Sequence, residues 1–280
     1  MAAEWVGCED HGVVRIVRIE RPDRLNALNE AVLQALGEAL DGAVRDGVRA
    51  LVVTGAGDRA FSAGADLDEW ENISFADAYR RLELGQRVFQ RLAAGPIPAV
   101  AAVNGYALGG GMELALACHV RLASRRAAFG LPEPRLGMIP GFGGTQRLPR
   151  VVGWGRAAEI LLTGRRVPAE EALAIGLVTA VHEEDALLPE ALALAQHIAE
   201  QSPVSLRMIL TALYGGSDLP VERGLLVERL VGAAAASSAD QREGVAAFRA
   251  RRPPRFGPAD GAATDPSGQA QPSGGKEGEG

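Results

Sequence analysis

Hydrophobic positions along this chain change period in a regular way. From Val13 to Ile19, a run of branched residues interrupted only by Arg15 and Arg18 reads as a strand. Asn29 stands where an N-cap belongs, and Leu33, Leu36, Leu40 and Val44 follow at helical spacing, which predicts a helix over 30–45. Leu51-Val52-Val53-Thr54 reads as a short buried strand ended by Gly55. A second amphipathic helix is predicted over 75–93, closed by Gly95-Pro96. Pro98 to Val103 reads as another buried strand, Gly109 to Cys118 as a loop entering a helix, and 119–123 as a further strand. From Trp154 onward the spacing is mostly helical, with one strand near Leu177 to Val181. Strands alternating with helices, then a helical C-terminal third, predict an α/β fold with a helical extension. No internal repeat is visible.

Composition narrows the class. With 280 residues, 47% hydrophobic and 23% charged, the chain suits one large globular domain or one domain with a small appendage. The longest apolar stretch, Ile97 to Val103, is too short to span a bilayer, so no membrane association is expected. Two cysteines, Cys8 and Cys118, cannot build a disulfide framework, and Met1 to Trp5 lacks a basic segment leading into an apolar one. Both features predict a cytoplasmic protein. A net charge of −6 argues against nucleic acid as a partner. From about Pro253 to Gly280 the chain is dominated by Pro, Gly, Ser, Gln and Ala, which predicts a disordered tail.

Candidate chemistry then comes by elimination and by oddity. The only lysine is Lys276, which removes a Walker A lysine, a Schiff-base lysine and a lysine dyad from the core. Histidines 11, 119, 182 and 197 lack metal-ligand spacing, so no metal site is expected. Two glutamates, Glu113 and Glu133, lie in apolar segments punctuated by glycine and proline. A carboxylate in such company costs free energy unless paired, hydrogen-bonded or neutralised, and paired carboxylates with perturbed titration suit proton transfer.

The segments Ser62-Ala63-Gly64-Ala65-Asp66-Leu67, Ala101 to Leu114, and Phe129 to Leu148 together resemble the enoyl-CoA hydratase/isomerase (crotonase) family. Arg21 to Asn29 resembles its N-terminal signature, and the similarity runs from about residue 10 to 252. The resemblance implies a crotonase-like spiral of ββα units over 1–198, a helical trimerisation region over 199–252, and homotrimers or homohexamers. It also implies acyl-CoA thioester substrates, with no cofactor beyond the coenzyme A of the substrate. By the same resemblance, the backbone N–H groups of Ala65 and Gly110 form an oxyanion hole. Glu113 becomes the main water-orienting base and Glu133 the acid, although a coupled pair resists strict assignment. Gly141 helps to hold the water. Arg24, Ala27, Ala63, Asp66 and Leu67 lie along the coenzyme A path, and Phe248 and Arg251 match positions that reach a neighbouring subunit's ligand. Gly232 departs from the aromatic residue common at its position. Retention of both acids favours hydration of trans-2-enoyl-CoA over Δ3-Δ2 isomerisation.

Other readings of the same residues remain. Gly55 to Ala60 fits G-x-G-x-x-A, yet no clear helix opens after it, and a turn closing the strand fits better. Ser62 imitates part of a nucleophile elbow without its first glycine, so a turn role is preferred to a serine hydrolase. Asp66 either caps a helix starting at Leu67 or binds ligand. His119 and Cys118 read as packing residues. Trp70 and Phe142 either shape an acyl pocket or pack. A non-catalytic binding protein is a further class, with RNA disfavoured by charge.

Overall fold

A computed structural model describes residues 4–257. The chain opens with a hairpin of β1 (Val6–His11) and β2 (Val14–Ile19), followed by α1 (Glu30–Arg45). The next two units each run strand, short strand, helix: β3 (Ala50–Gly55), β4 (Ala60–Ser62), α2 (Phe75–Ala93); then β5 (Ala99–Val103), β6 (Tyr106–Leu108), α3 (Gly110–Ala117). The third unit is β7 (Val120–Ser124), β8 (Ala128–Gly130), a 3-10 turn at Glu133–Leu136 and α4 (Gly144–Val152). Then come α5 (Trp154–Thr163), β9 (Arg166–Pro168), α6 (Ala169–Ala174), β10 (Ala180–His182) and α7 (Glu184–Ala199). Three helices end the described chain: α8 (Pro203–Gly216), α9 (Val221–Ala236) and α10 (Ala239–Arg249).

The first strand of each unit joins one sheet, ordered β1-β2-β3-β5-β7-β10, and the second joins another, ordered β4-β6-β8-β9. Strands β2, β3, β5, β7 and β10 run parallel, as do β4, β6 and β8. Parallel neighbours need long crossovers, so the chain winds as a spiral of ββα turns. This is a repeat of geometry that left no visible repeat of sequence.

The large sheet is covered on both faces. Val52, Val100, Ala102 and Leu122 face Leu187, Ala191 and Ala195 of α7. Their strand neighbours Leu51, Val53, Ala101 and Val103 face the main core with Val32, Leu36, Val88 and Phe89. Burial on both sides is why these strands read as unbroken apolar runs.

Helices α1 and α2 coincide with the predicted ranges because their caps are local: Asn29 accepts from the Val32 N–H and Ser74 from the Asp77 N–H. Val44 was expected on the buried face of α1 and is instead exposed. Strands β4, β6, β8 and β9 were not foreseen; three residues are too few to display a period. Strand β1 was also missed, since most of its side chains are polar and exposed. In α9 no residue is buried, and Leu225, Leu226 and Leu230 are exposed. Of the tail expected over 253–280, Pro253 to Gly257 forms no helix or strand, and the rest lies outside the described residues. No helix among the described residues is long and apolar enough to cross a membrane.

Candidate active site

Glycines bring the start of α3 onto the segment following β4. A Cβ at Gly111 would collide with the Ser62 carbonyl, and one at Gly64 (φ 99°) would lie 2.6 Å from Leu108 O and 3.1 Å from Gly110 N. Ala65 bridges Leu28 in parallel fashion: the Leu28 N–H donates to Gly64 O at 2.8 Å, and the Asp66 N–H donates to Leu28 O at 3.0 Å. Alternation along an extended chain therefore turns the Ala65 N–H away from Leu28, and it has no acceptor among the described residues. The Gly110 N–H sits in the first turn of α3, where no intrahelical acceptor exists and the helix dipole favours negative charge. Both residues line a cavity of about 340 Å³, together with Glu113, Glu133, Trp70, Leu82, Met138, Ile139, Gly141 and Phe142.

Glu113, in the first turn of α3, is 1% exposed. Its Oε1 accepts from the Phe142 N–H at 2.8 Å and the Gly144 N–H at 2.6 Å. Burial pushes its carboxyl up to about 7, and the charge of Glu133 adds to the rise. The two N–H donors and the Arg147 cation oppose it.

Glu133 begins the 3-10 turn that follows β8. Its Oε2 is buried without a hydrogen-bond partner, and burial raises its carboxyl above the usual range. Gly109, at φ 50° and ψ −126°, leaves room for it: a Cβ there would lie 2.8 Å from Glu133 Oε1. Two acids and two free N–H groups thus border one small cavity. Such a site can stabilise an oxyanion while moving protons on the adjacent carbons.

The other sequence candidates fall in two groups. Gly141 lines the cavity, and its carbonyl accepts from Gln86 Nε2 at 2.8 Å. Trp70 and Phe142 both line it and both pack on the core, Phe142 edge-on to Phe89 at 5.5 Å. Outside the cavity, the Ala63 N–H donates to Leu25 O at 2.9 Å and Ala27 O accepts from Arg21 Nη1 at 2.8 Å. Arg24 is exposed and pairs with Asp68 at 3.3 Å, while Leu67 is half exposed. Asp66 does cap the turn at Leu67–Glu69, and it also binds Arg21 at 2.9 Å. Phe248 is 86% exposed on α10, and neither it nor Arg251 lines the cavity.

Asn26, buried and at φ 57°, was given no role of its own within the Arg21 to Asn29 segment, yet it holds these pieces together. Its Nδ2 donates to Ala56 O at 2.9 Å and Ala60 O at 2.7 Å, and its Oδ1 accepts from the Arg21 N–H at 3.0 Å. The donors to Glu113 were also missed; the glycine run Gly141 to Gly144 was their only trace.

The competing chemistries lose their geometry. Strand β4, not a helix, begins at Ala60, so no dinucleotide turn forms at Gly55 to Ala60. Ser62 is fully buried, and its Oγ accepts from the Gly64 N–H at 3.2 Å. His119 Nδ1 accepts from the Ala99 N–H at 2.9 Å, its ring lies edge-on to Tyr214, and burial lowers it to about 4. Cys118 is buried and pushed up to about 12. Among the described residues no group of three or more His, Cys, Asp and Glu gathers as a metal site would.

The fold and the paired acids agree with the company this chain keeps. It belongs to the enoyl-CoA hydratase/isomerase family, whose profile matches residues 9–259. A crotonyl-CoA hydratase of Syntrophomonas wolfei is 40% identical over 258 residues, covering 91% of this chain and 99% of the relative. A short-chain-enoyl-CoA hydratase of Clostridium acetobutylicum is 40% identical over 245 residues, 87% of this chain and 94% of that protein. The crystal structure of an enoyl-CoA hydratase from Bacillus anthracis has a TM-score of 0.87 at 35% identity, covering 91% of this chain and 99% of that one.

Proposed function

We propose that this protein hydrates trans-2-enoyl-CoA thioesters, adding water syn across the double bond to give 3-hydroxyacyl-CoA. The observation that carries the reading is the meeting of Ala65 N–H, Gly110 N–H, Glu113 and Glu133 at one cavity. The thioester oxygen accepts from the two N–H groups, which draws electrons from the conjugated double bond and makes Cβ electrophilic. A water between the acids attacks Cβ. Glu113 takes one of its protons, and Glu133 delivers a proton to Cα as the enolate collapses.

The two environments support this division of roles. Two N–H donors on Oε1 favour the ionised form of Glu113, whereas the partnerless buried Oε2 of Glu133 favours its protonated form. Gly141, beside the donors in the same wall, contributes to holding the water.

No electrons are transferred, and coenzyme A enters as part of the substrate. Arg24, Ala27, Ala63, Asp66 and Leu67 would lie along the path of its adenine and pantetheine. The exposed apolar residues of α9 suit self-association into a homotrimer or homohexamer, and two free cysteines suit the cytoplasm. Running the reaction in oxygen-18 water tests the chemistry. Hydration places one label at C3 of the product; an unlabelled product formed from a 3-enoyl-CoA identifies an isomerase instead.

A further inference from the structure

The wall that presents N–H donors to Glu113 is itself held from behind by one side chain. Arg147, on α4, donates from Nη1 to the Phe142 carbonyl at 2.9 Å and from Nη2 to Gln90 Oε1 on α2 at 2.9 Å. Its own N–H donates to Gly143 O at 2.8 Å. The Phe142 carbonyl belongs to the peptide lying between the two peptides whose N–H groups reach Glu113. Fixing that middle peptide therefore fixes both donors. Gly143, at φ 114°, makes room for the clamp, because a Cβ there would collide with Arg147 Nη1.

The charge of Arg147 is as telling as its hydrogen bonds. Both are to neutral oxygens, and among the described residues it has no carboxylate partner. A half-buried arginine without a carboxylate in hydrogen-bonding reach is costly on its own account. The charged groups felt at Glu113 are Glu133, from the 3-10 turn, and Arg147, from α4, and they act in opposite directions. In return, the Glu113 charge helps to keep Arg147 protonated against its burial.

We propose that Arg147 is a positioning residue for Glu113: its guanidinium fork fixes the Phe142–Gly143 peptide, and its cation sustains the ionised carboxylate behind it. The hold on Glu113 follows from this geometry alone; that the carboxylate receives a proton from water rests on the hydratase reading. Arginine suits the task because its rigid fork reaches two acceptors while staying charged.

The test uses the full chain with Arg147→Gln, Arg147→Lys and Gln90→Leu. Two readouts are taken: the pH dependence of kcat/KM on crotonyl-CoA, and the infrared titration of the Glu113 carboxyl without substrate, isolated by subtracting Glu113→Gln. In Arg147→Gln both move to higher pH, so that kcat/KM at pH 6, relative to its plateau, falls about tenfold, the low end for losing a nearby opposite charge. Arg147→Lys, which keeps the cation, returns most of the shift. A carboxyl titration unmoved in Arg147→Gln overturns the proposal, whatever happens to activity. If that variant fails to fold, Gln90→Leu decides: a smaller shift in the same direction supports the clamp, and none refutes it. A wild-type enzyme inactive on enoyl-CoA would defeat the hydratase reading, while the infrared titration still decides the role of Arg147.

Discussion

Glutamine at position 113 should stabilise the protein above neutral pH while destroying its catalysis. Glu113 is 1% exposed, and its carboxyl is held at about 7 against an ordinary value of 4.5. The folded chain thus binds this proton more tightly than the unfolded chain does. The resulting stability is fully present below pH 4.5 and is lost as pH rises through 7. At about 1.4 kcal/mol per unit, the loss approaches about 3 kcal/mol. Glutamine carries no such penalty, and its side-chain oxygen still accepts from the Phe142 and Gly144 N–H groups. Glu113→Gln should therefore match the wild type near pH 4.5 and exceed it by about 3 kcal/mol at pH 8.5. Urea unfolding at matched protein concentration, at both pH values, measures the difference. A variant less stable than wild type at pH 8.5, or a gap that does not depend on pH, would refute the reasoning.

Further outcomes follow from single contacts. Gly109→Ala places a methyl 2.8 Å from Glu133 Oε1 in an unfavourable backbone conformation, so kcat should fall at least about tenfold in steady-state assays, the scale of a misplaced catalytic group. Asn26→Ala strands the buried carbonyls of Ala56 and Ala60 and should cost about 3 kcal/mol by denaturant unfolding, with a raised KM for the acyl-CoA. Ser62→Ala should leave hydration largely intact and release no free thiol in a thiol-trapping assay; abolished turnover or thiol release in the wild type would favour a hydrolase.

What could be read from the sequence was what is local. Helix α1 announces itself through Asn29 and its leucine spacing, and α2 through an amphipathic pattern closed by Gly95-Pro96, all of it local in the chain. Strand β6 exists because Tyr106 pairs with Ala128, a partner that no local pattern reveals. At the site, Glu113 and Glu133 stood out because charge in apolar company is chemically odd. Ala65 and Gly110 offer the cavity only backbone N–H groups, which every residue but proline carries, so family resemblance alone picked them out. Phe142, Gly144 and Arg147 surround Glu113 only after α4 folds back on α3, and no spacing in the chain encodes that approach.

The most direct test of the account is the absorbance of the conjugated enoyl-thioester when crotonyl-CoA meets the purified protein. The wild type should remove that absorbance and yield 3-hydroxybutyryl-CoA. Glu113→Gln and Glu133→Gln should each slow the loss by about 10²- to 10⁴-fold, the range for removing a general acid or base. Unchanged absorbance with short- and medium-chain esters alike, or wild-type turnover in Glu133→Gln, would contradict it.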